Sequence, residues 1–229
     1  MTSIGKGLLG TPALVLIGVD KFAAVGTVGV AGVFLMMSST YKHYKNGNVD
    51  LKSALAFSLC GVPTSYYFAC HKEDIDAICR LNYVIGIAAA FSVFALICRF
   101  YFSQNKIESH GLQNKPLLTA FLGLILGFFI GATSISGSLI VIAFILILQM
   151  PEKIAIGTTS FVAIFSLASA SIAHIQKGNV DWELFSFFTP AVMIGAYFGA
   201  QLTQVVPKKT LQLMILLLLL MATIGLFLK

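Results

Sequence analysis

Residues 116–150 read PLLTAFLGLILGFFIGATSISGSLIVIAFILILQM, about 35 apolar or small residues without a single charge. A bilayer-spanning helix needs about 20 such residues, so this run is too long for one span and short for two. Its middle is Gly131-Ala132-Thr133-Ser134-Ile135-Ser136-Gly137-Ser138. Two short helices meeting at this small-residue break fit the length. In hydrocarbon every backbone N–H and C=O has to find a partner. A break at membrane depth therefore belongs inside protein or beside a water-filled cavity, which makes this stretch the first candidate for a functional place.

The rest of the chain has the same character. Of its 229 residues 58% are hydrophobic and only 10% charged, with mean hydropathy +0.91, whereas a soluble domain carries about 25% charged residues. One all-α, multi-pass membrane domain follows. Full spans are predicted over 22–41, 51–70, 81–98, 154–173, 184–205 and 211–228, and residues 8–18 make only half a span. The net charge of +6 sits in the breaks between apolar runs and at their ends, where topology-setting charges belong. No basic stripe or tail suits nucleic acid. No P-loop, H-E-x-x-H motif, metal-ligand cluster or nucleophile elbow occurs, and no Asp or Glu lies inside a span. The expectation is a protein that is not an enzyme, holds no cofactor or metal, and lacks a carboxylate proton relay. Cys60, Cys70, Cys79 and Cys98 form no C-x-x-C pair, and a Cys70–Cys79 disulfide stays open. The N-terminus lacks a basic region ahead of a clean apolar core, so no cleavable signal peptide is expected.

An offset of 131 residues lays the beginning of the chain on its second half without a gap. Thr2-Ser3-Ile4 falls on Thr133-Ser134-Ile135, and Gly26-Thr27 on Gly157-Thr158. His43 falls on His174, and Gly47-Asn48-Val49-Asp50 on Gly178-Asn179-Val180-Asp181. Such unlike motifs at one offset mark an internal repeat, with copies over about 1–115 and 116–229. The first copy lacks the apolar segment that precedes the break in the second. Each copy contains a paired short element followed by three spans. Three crossings are odd in number, so the copies are expected to insert with opposite orientation, the broken or re-entrant helices meeting near the midplane. The loops with Lys42, Lys45, Arg99, Lys106, Lys115, Lys153, Lys208 and Lys209 fall on the side richer in Lys and Arg, which is placed in the cytoplasm. Asp50 and Asp181 read as N-caps, Gly47 and Gly178 as helix ends. His43 and His174 read as turn and interface residues ahead of proton carriers.

The second half resembles the sulfite exporter TauE/SafE family of membrane permeases. The resemblance rests on the break Gly131–Ser138, on Pro151 with Ala155-Ile156-Gly157-Thr158-Thr159, on His174–Trp182 and on the Gly195–Gly199 segment. The first half carries the same pattern through Gly5-Lys6-Gly7-Leu8, Pro12, Gly26-Thr27 and Lys45–Asp50. Lys6 departs from it, standing where glycine is expected. The resemblance implies transport of sulfite or a small organosulfur anion across the cell membrane, with the lipid bilayer as surroundings; homo-oligomerisation is compatible with it. The expected substrate-binding residues are Thr2, Ser3, Lys6 and Gly7 at the first break and Thr133, Ser134, Gly137 and Ser138 at the second. Thr27, Thr158 and Thr159 follow early in the next spans. Exposed N–H groups at half-helix starts suit an anion. The competing explanation is close helix packing by small residues. An anion channel, or a non-transporting membrane scaffold or sulfur-relay subunit, are the alternative functions.

Overall fold

The computed structural model describes residues 6–102 and 115–205, together with 217, 220 and 221. The described residues form helices α1 (Lys6–Ile17), α2 (Lys21–Lys45), α3 (Leu51–Cys70), α4 (Lys72–Cys79), α5 (Leu81–Phe102), α6 (Pro116–Thr133), α7 (Gly137–Ile142), α8 (Glu152–Gln176) and α9 (Trp182–Val205), and no strand. Three of them, α2, α6 and α8, are long and apolar enough to cross a membrane, and Leu81–Phe91 and Gly137–Ile147 are shorter apolar helices. Large apolar side chains such as Leu59, Phe94, Leu117 and Phe187 face outward, as a helix bundle in lipid requires and a water-facing surface does not. The span expected over 211–228 lies outside the described residues.

Helix ends follow from local chemistry. The Asp20 carboxylate accepts from Phe22 N at 2.9 Å and Ala23 N at 3.1 Å, capping α2. Asp50 accepts from Lys52 N at 3.2 Å and from Ser53 Oγ at 2.6 Å, and Asp181 accepts from Leu184 N at 2.9 Å. At the other ends Gly47 (φ 68°) and Gly178 (φ 69°) occupy the left-handed region. Asn48 N reaches back to His43 O at 3.0 Å and Asn179 N to His174 O at 2.9 Å. This is the glycine-dependent closure of a helix C-terminus, made twice with the same residues.

The helix α6 packs on α3 through glycines four residues apart. A β-carbon added at Gly123 would stand 3.2 Å from Phe57 C, one at Gly127 2.8 Å from Gly61 O, and one at Gly131 3.1 Å from Ser65 C. The constant register makes the two helices run in the same direction, backbone against backbone, as small residues allow in membrane bundles. The pair α2 and α8 instead runs antiparallel: β-carbons added at Gly26, Gly29 and Gly32 would meet His174 Cβ at 3.4 Å, Ser171 Oγ at 3.5 Å and Leu167 Cδ1 at 3.2 Å.

Two features differ from the sequence expectations. The break at Ser134–Ser136 is not flanked by two short helices: α6 has 18 residues, and only α7 is short, with six residues prolonged by a π-helical turn at Ala143–Ile147. Second, residues 72–79, which lie between the expected spans 51–70 and 81–98, form a further helix. The Cys70–Cys79 pairing that the sequence leaves open is not made: Cys70 carries a free thiol, as does Cys60.

Candidate functional site

The break is held by hydroxyls and by one left-handed residue. Ser134 ends α6 at φ 57°, a conformation that costs a non-glycine residue energy. Its Oγ donates to Val25 O of α2 at 2.8 Å, which gives the buried hydroxyl a partner and ties the break to α2. Only glycine fits opposite: a β-carbon at Gly29 would lie 2.7 Å from Ser134 Oγ. Thr133 Oγ1 donates to Phe129 O at 2.6 Å and accepts from Ile135 N at 3.2 Å, and Thr11 Oγ1 of α1 donates to Thr133 O at 3.2 Å. Thr133, Ser134, Ser136, Gly137 and Ser138 are all buried. The contacts with Val25 and Gly29 place the break between the Lys21 end of α2 and its middle.

Beside the break lies a cavity of about 10 Å³, room for about one water. It is lined by Val28, Ala31, Gly32 and Met36 along the middle of α2, by Leu167, Phe188 and Val192, and by Ser134 and Ser136 as its polar members. Two hydroxyl-bearing residues line a mostly apolar chamber too small, at this volume, for a polyatomic anion.

Thr27 and Thr158 are placed elsewhere. Thr27 Oγ1 accepts from Asp181 N at 3.1 Å, and Thr158 Oγ1 accepts from Asp50 N at 2.9 Å. Each lies beside a glycine, Gly26 or Gly157, pressed against the carbonyl of Asn179 or Asn48. The Gly-Thr motif of each copy thus clasps the Gly-Asn-Val-Asp turn of the other. Such reciprocal contacts, residue i on j and j on i, are those of a twofold relation. The hydroxyls of Thr27 and Thr158 are therefore engaged with backbone. Thr159 is fully buried, and its hydroxyl has no partner among the described residues. Lys6 and Gly7 begin α1, and Thr2 and Ser3 lie outside the described residues.

The structure also buries polar groups that were not expected at the site, among them His174, expected at the interface. Thr11 and Ser171 are buried beside the break. His174 is fully buried, with neither ring nitrogen hydrogen-bonded. Lys72 is fully buried as well, a rare state for lysine. At the same end of the bundle Lys21 pairs with Asp76 at 2.6 Å, and Leu81 N donates to Asp76 at 2.7 Å. No cluster of metal-ligating side chains occurs among the described residues.

Known proteins point the same way. The family model for "Sulfite exporter TauE/SafE" matches residues 1–226. Two Bacillus subtilis (strain 168) proteins, probable membrane transporter proteins YjnA and YdhB, are each 27% identical over 214 residues. The alignments cover 87% and 91% of this chain and 84% and 85% of theirs. The probable membrane transporter protein ORF9 of Sinorhizobium sp is 22% identical over 200 residues, 86% of this chain and 75% of its own. No solved structure matches. With a membrane-transporter model covering nearly its whole length, and apolar helices to match, the chain belongs to the sulfite exporter TauE/SafE family.

Proposed function

We propose that this chain is a secondary permease for a small anion, sulfite or an organosulfur anion, bound beside the Gly/Ser/Thr break and exposed alternately to the two sides of the cell membrane. The observation that carries this reading is the small cavity at Ser134 and Ser136. It combines an interrupted helix, buried hydroxyls and a start of α7 whose first N–H groups have no carbonyl within their own helix. The antiparallel course of the repeat-related helices α2 and α8, with the reciprocal Gly-Thr clasps, supports two copies of opposite orientation. That is the architecture on which alternating-access carriers place their substrates. In this mechanism one copy rocks against the other. The clasps hold each copy's turn on the other, and the cavity grows from one-water size when the break moves away from α2. The Ser134 hydroxyl, released from Val25 O by that movement, and the N–H groups of Gly137 and Ser138 become the anion's hydrogen-bond donors, while Thr133 shapes the end of α6 beside them. Thr27 and Thr158 hold the clasps, and Thr159 supplies a spare hydroxyl in the same helix turn as Thr158.

The test is uptake of sulfite, thiosulfate, sulfoacetate and chloride into liposomes holding the purified protein. Saturable uptake of one sulfur anion, abolished by Thr133→Val with Ser134→Ala in protein that still inserts, is the expected result. Normal transport by that double variant removes the break from the site. Flux that does not saturate and far exceeds carrier turnover assigns a channel.

A further inference from the structure

Lys72 opens α4 at the Lys21 end of the bundle. Its ammonium makes one hydrogen bond, to Phe22 O at 3.0 Å, and stands 5.0 Å from the centre of the Phe22 ring. An ammonium has three N–H donors, so two remain unspent on a fully buried side chain. No carboxylate neutralises it by contact. Asp76 is taken by Lys21, Asp20 caps α2, and Asp20 and Glu73 act on Lys72 only through their charge. Burial outweighs both and pushes the Lys72 ammonium down to about 7.

His174 is also fully buried and has two unpartnered ring nitrogens. The two side chains converge on one stretch of α2: Lys72 bonds Phe22 O, and His174 packs against Gly26, one turn on. A buried cation and a buried imidazole with this many unmet hydrogen bonds are costly. The repeat does not demand them. His43, the counterpart of His174, is only half-buried, and the position matching Lys72 is Thr203. Among the described residues the pair therefore exists at one end of the α2–α8 couple. From it a line of buried polar groups continues inward. Ser171, one turn before His174 on the same face of α8, has an unpartnered hydroxyl. Ser171 and Ser134 both lie against Gly29, and Ser134 lines the cavity.

We propose that Lys72 and His174 form a binding station for a small oxyanion, occupied before the anion passes along Ser171 to the Ser134–Ser136 cavity. The station takes its ligand class from the permease reading above. Two ammonium N–H groups and one imidazole N–H donate to the anion's oxygens, and the anion supplies the negative charge that Lys72 lacks. Only the ammonium form binds, so apparent affinity follows the protonated fraction of Lys72. The groups that set that fraction are Asp20 and Glu73, which favour the charge, and burial, which opposes it. The Lys21–Asp76 pair is neutral as a unit. Affinity is therefore near its maximum at about pH 6 and falls about tenfold by about pH 8.

The experiment is equilibrium binding of radiolabelled thiosulfate, whose charge is constant over this range, to the purified full chain in detergent, with sulfite and sulfoacetate as competitors. Wild type is expected to weaken about tenfold between these two pH values. Lys72→Arg, permanently charged, keeps the affinity and loses the pH dependence. Lys72→Met and His174→Leu each weaken binding at least tenfold at the lower pH, and His174→Gln, which retains a donor, weakens it less. Thermal unfolding without anion reports whether each variant folds. If Lys72→Met does not fold, the comparison of Lys72→Arg with wild type decides. Wild-type binding that is flat with pH, or a pH dependence that persists in Lys72→Arg, overturns the station and leaves the permease reading standing. Wild type that binds none of the three anions overturns both.

Discussion

Placing a methyl group on Gly26 tests the reciprocal clasps directly. A β-carbon there would stand 2.9 Å from Asn179 C and closer still to its carbonyl oxygen, where ordinary contact begins at 3.4 Å. The obstacle is backbone, so no side-chain rotation relieves it. The turn that must retreat is fixed by Gly178 at φ 69°, by Asn179 N on His174 O at 2.9 Å and by Asp181 N on Thr27 Oγ1 at 3.1 Å. Overpacking of this kind costs about 1–3 kcal/mol, and a retreat that breaks the Thr27–Asp181 bond adds about 1 kcal/mol. Gly26→Ala should thus lose about 3 kcal/mol. Gly157→Ala should lose the same amount: its β-carbon would stand 2.8 Å from Asn48 C, and the bond at risk is Asp50 N on Thr158 Oγ1 at 2.9 Å. Gly195→Ala is the control. Nothing lies within 4 Å of its added carbon, and alanine in a helix gains up to about 1 kcal/mol over glycine. Thermal unfolding in detergent ranks the three. If Gly26→Ala and Gly157→Ala are no less stable than Gly195→Ala, the clasps do not exist; if only one of them is destabilised, the twofold relation fails.

Thr27→Val and Thr158→Val keep shape but strip the acceptor from a backbone N–H, and each should cost about 1–3 kcal/mol by the same unfolding measurement; no loss in either would show that water serves those N–H groups equally well. Gly29→Ala drives a carbon to 2.7 Å from Ser134 Oγ and should abolish uptake in liposomes while the protein still inserts; full uptake would show that Ser134 can leave Val25 without consequence. Burial pushes the Asp76 carboxyl up, but hydrogen bonds from Lys21 and Leu81 N–H and the charges of Lys21 and Arg80 outweigh it and hold Asp76 below its usual value. Its folded pKa lies under the unfolded one, so its stabilisation is complete above about pH 4 and disappears as pH falls through the folded value. Asp76→Asn should remove that acid-dependent part of the unfolding curve, and an unchanged acid limb would show that the pair is without effect.

The helix limits written in local residues were legible. Leu51–Cys70 emerges as expected because Asp50 caps it, and Gly47 and Gly178 end α2 and α8 because a left-handed residue there all but requires glycine. The Gly131–Ser138 break was legible for a similar reason: small and hydroxylated residues interrupt an otherwise uniform apolar run. Depth was not legible, because it depends on which residues of α2 the break touches, and Val25 and Gly29 carry no mark of that. Helix α4 was missed because Glu73, Asp74 and Asp76 make it look like a solvated loop. Lys72 and His174 were undervalued because burial of a polar side chain at a helix end is a property of what packs over it.

The two motifs that repeat most faithfully explain each other across the copies. Read within one copy, Gly26-Thr27 looks like a cavity lining and Gly47–Asp50 like a turn, and nothing connects them. In the fold, Gly26 lets Asn179 approach, and Thr27 accepts the N–H of Asp181, the residue that caps α9. Gly157 and Thr158 do the same for Asn48 and Asp50, the cap of α3. A substitution in either motif is therefore felt in the opposite copy. This coupling keeps the two turns docked at opposite ends of α2 and α8. The serines of the break have a different place: Ser134 ties the break to α2 through Val25 O, and with Ser136 it lines the interior cavity, where buried polar groups suit the proposed anion site and a purely apolar bundle would have none.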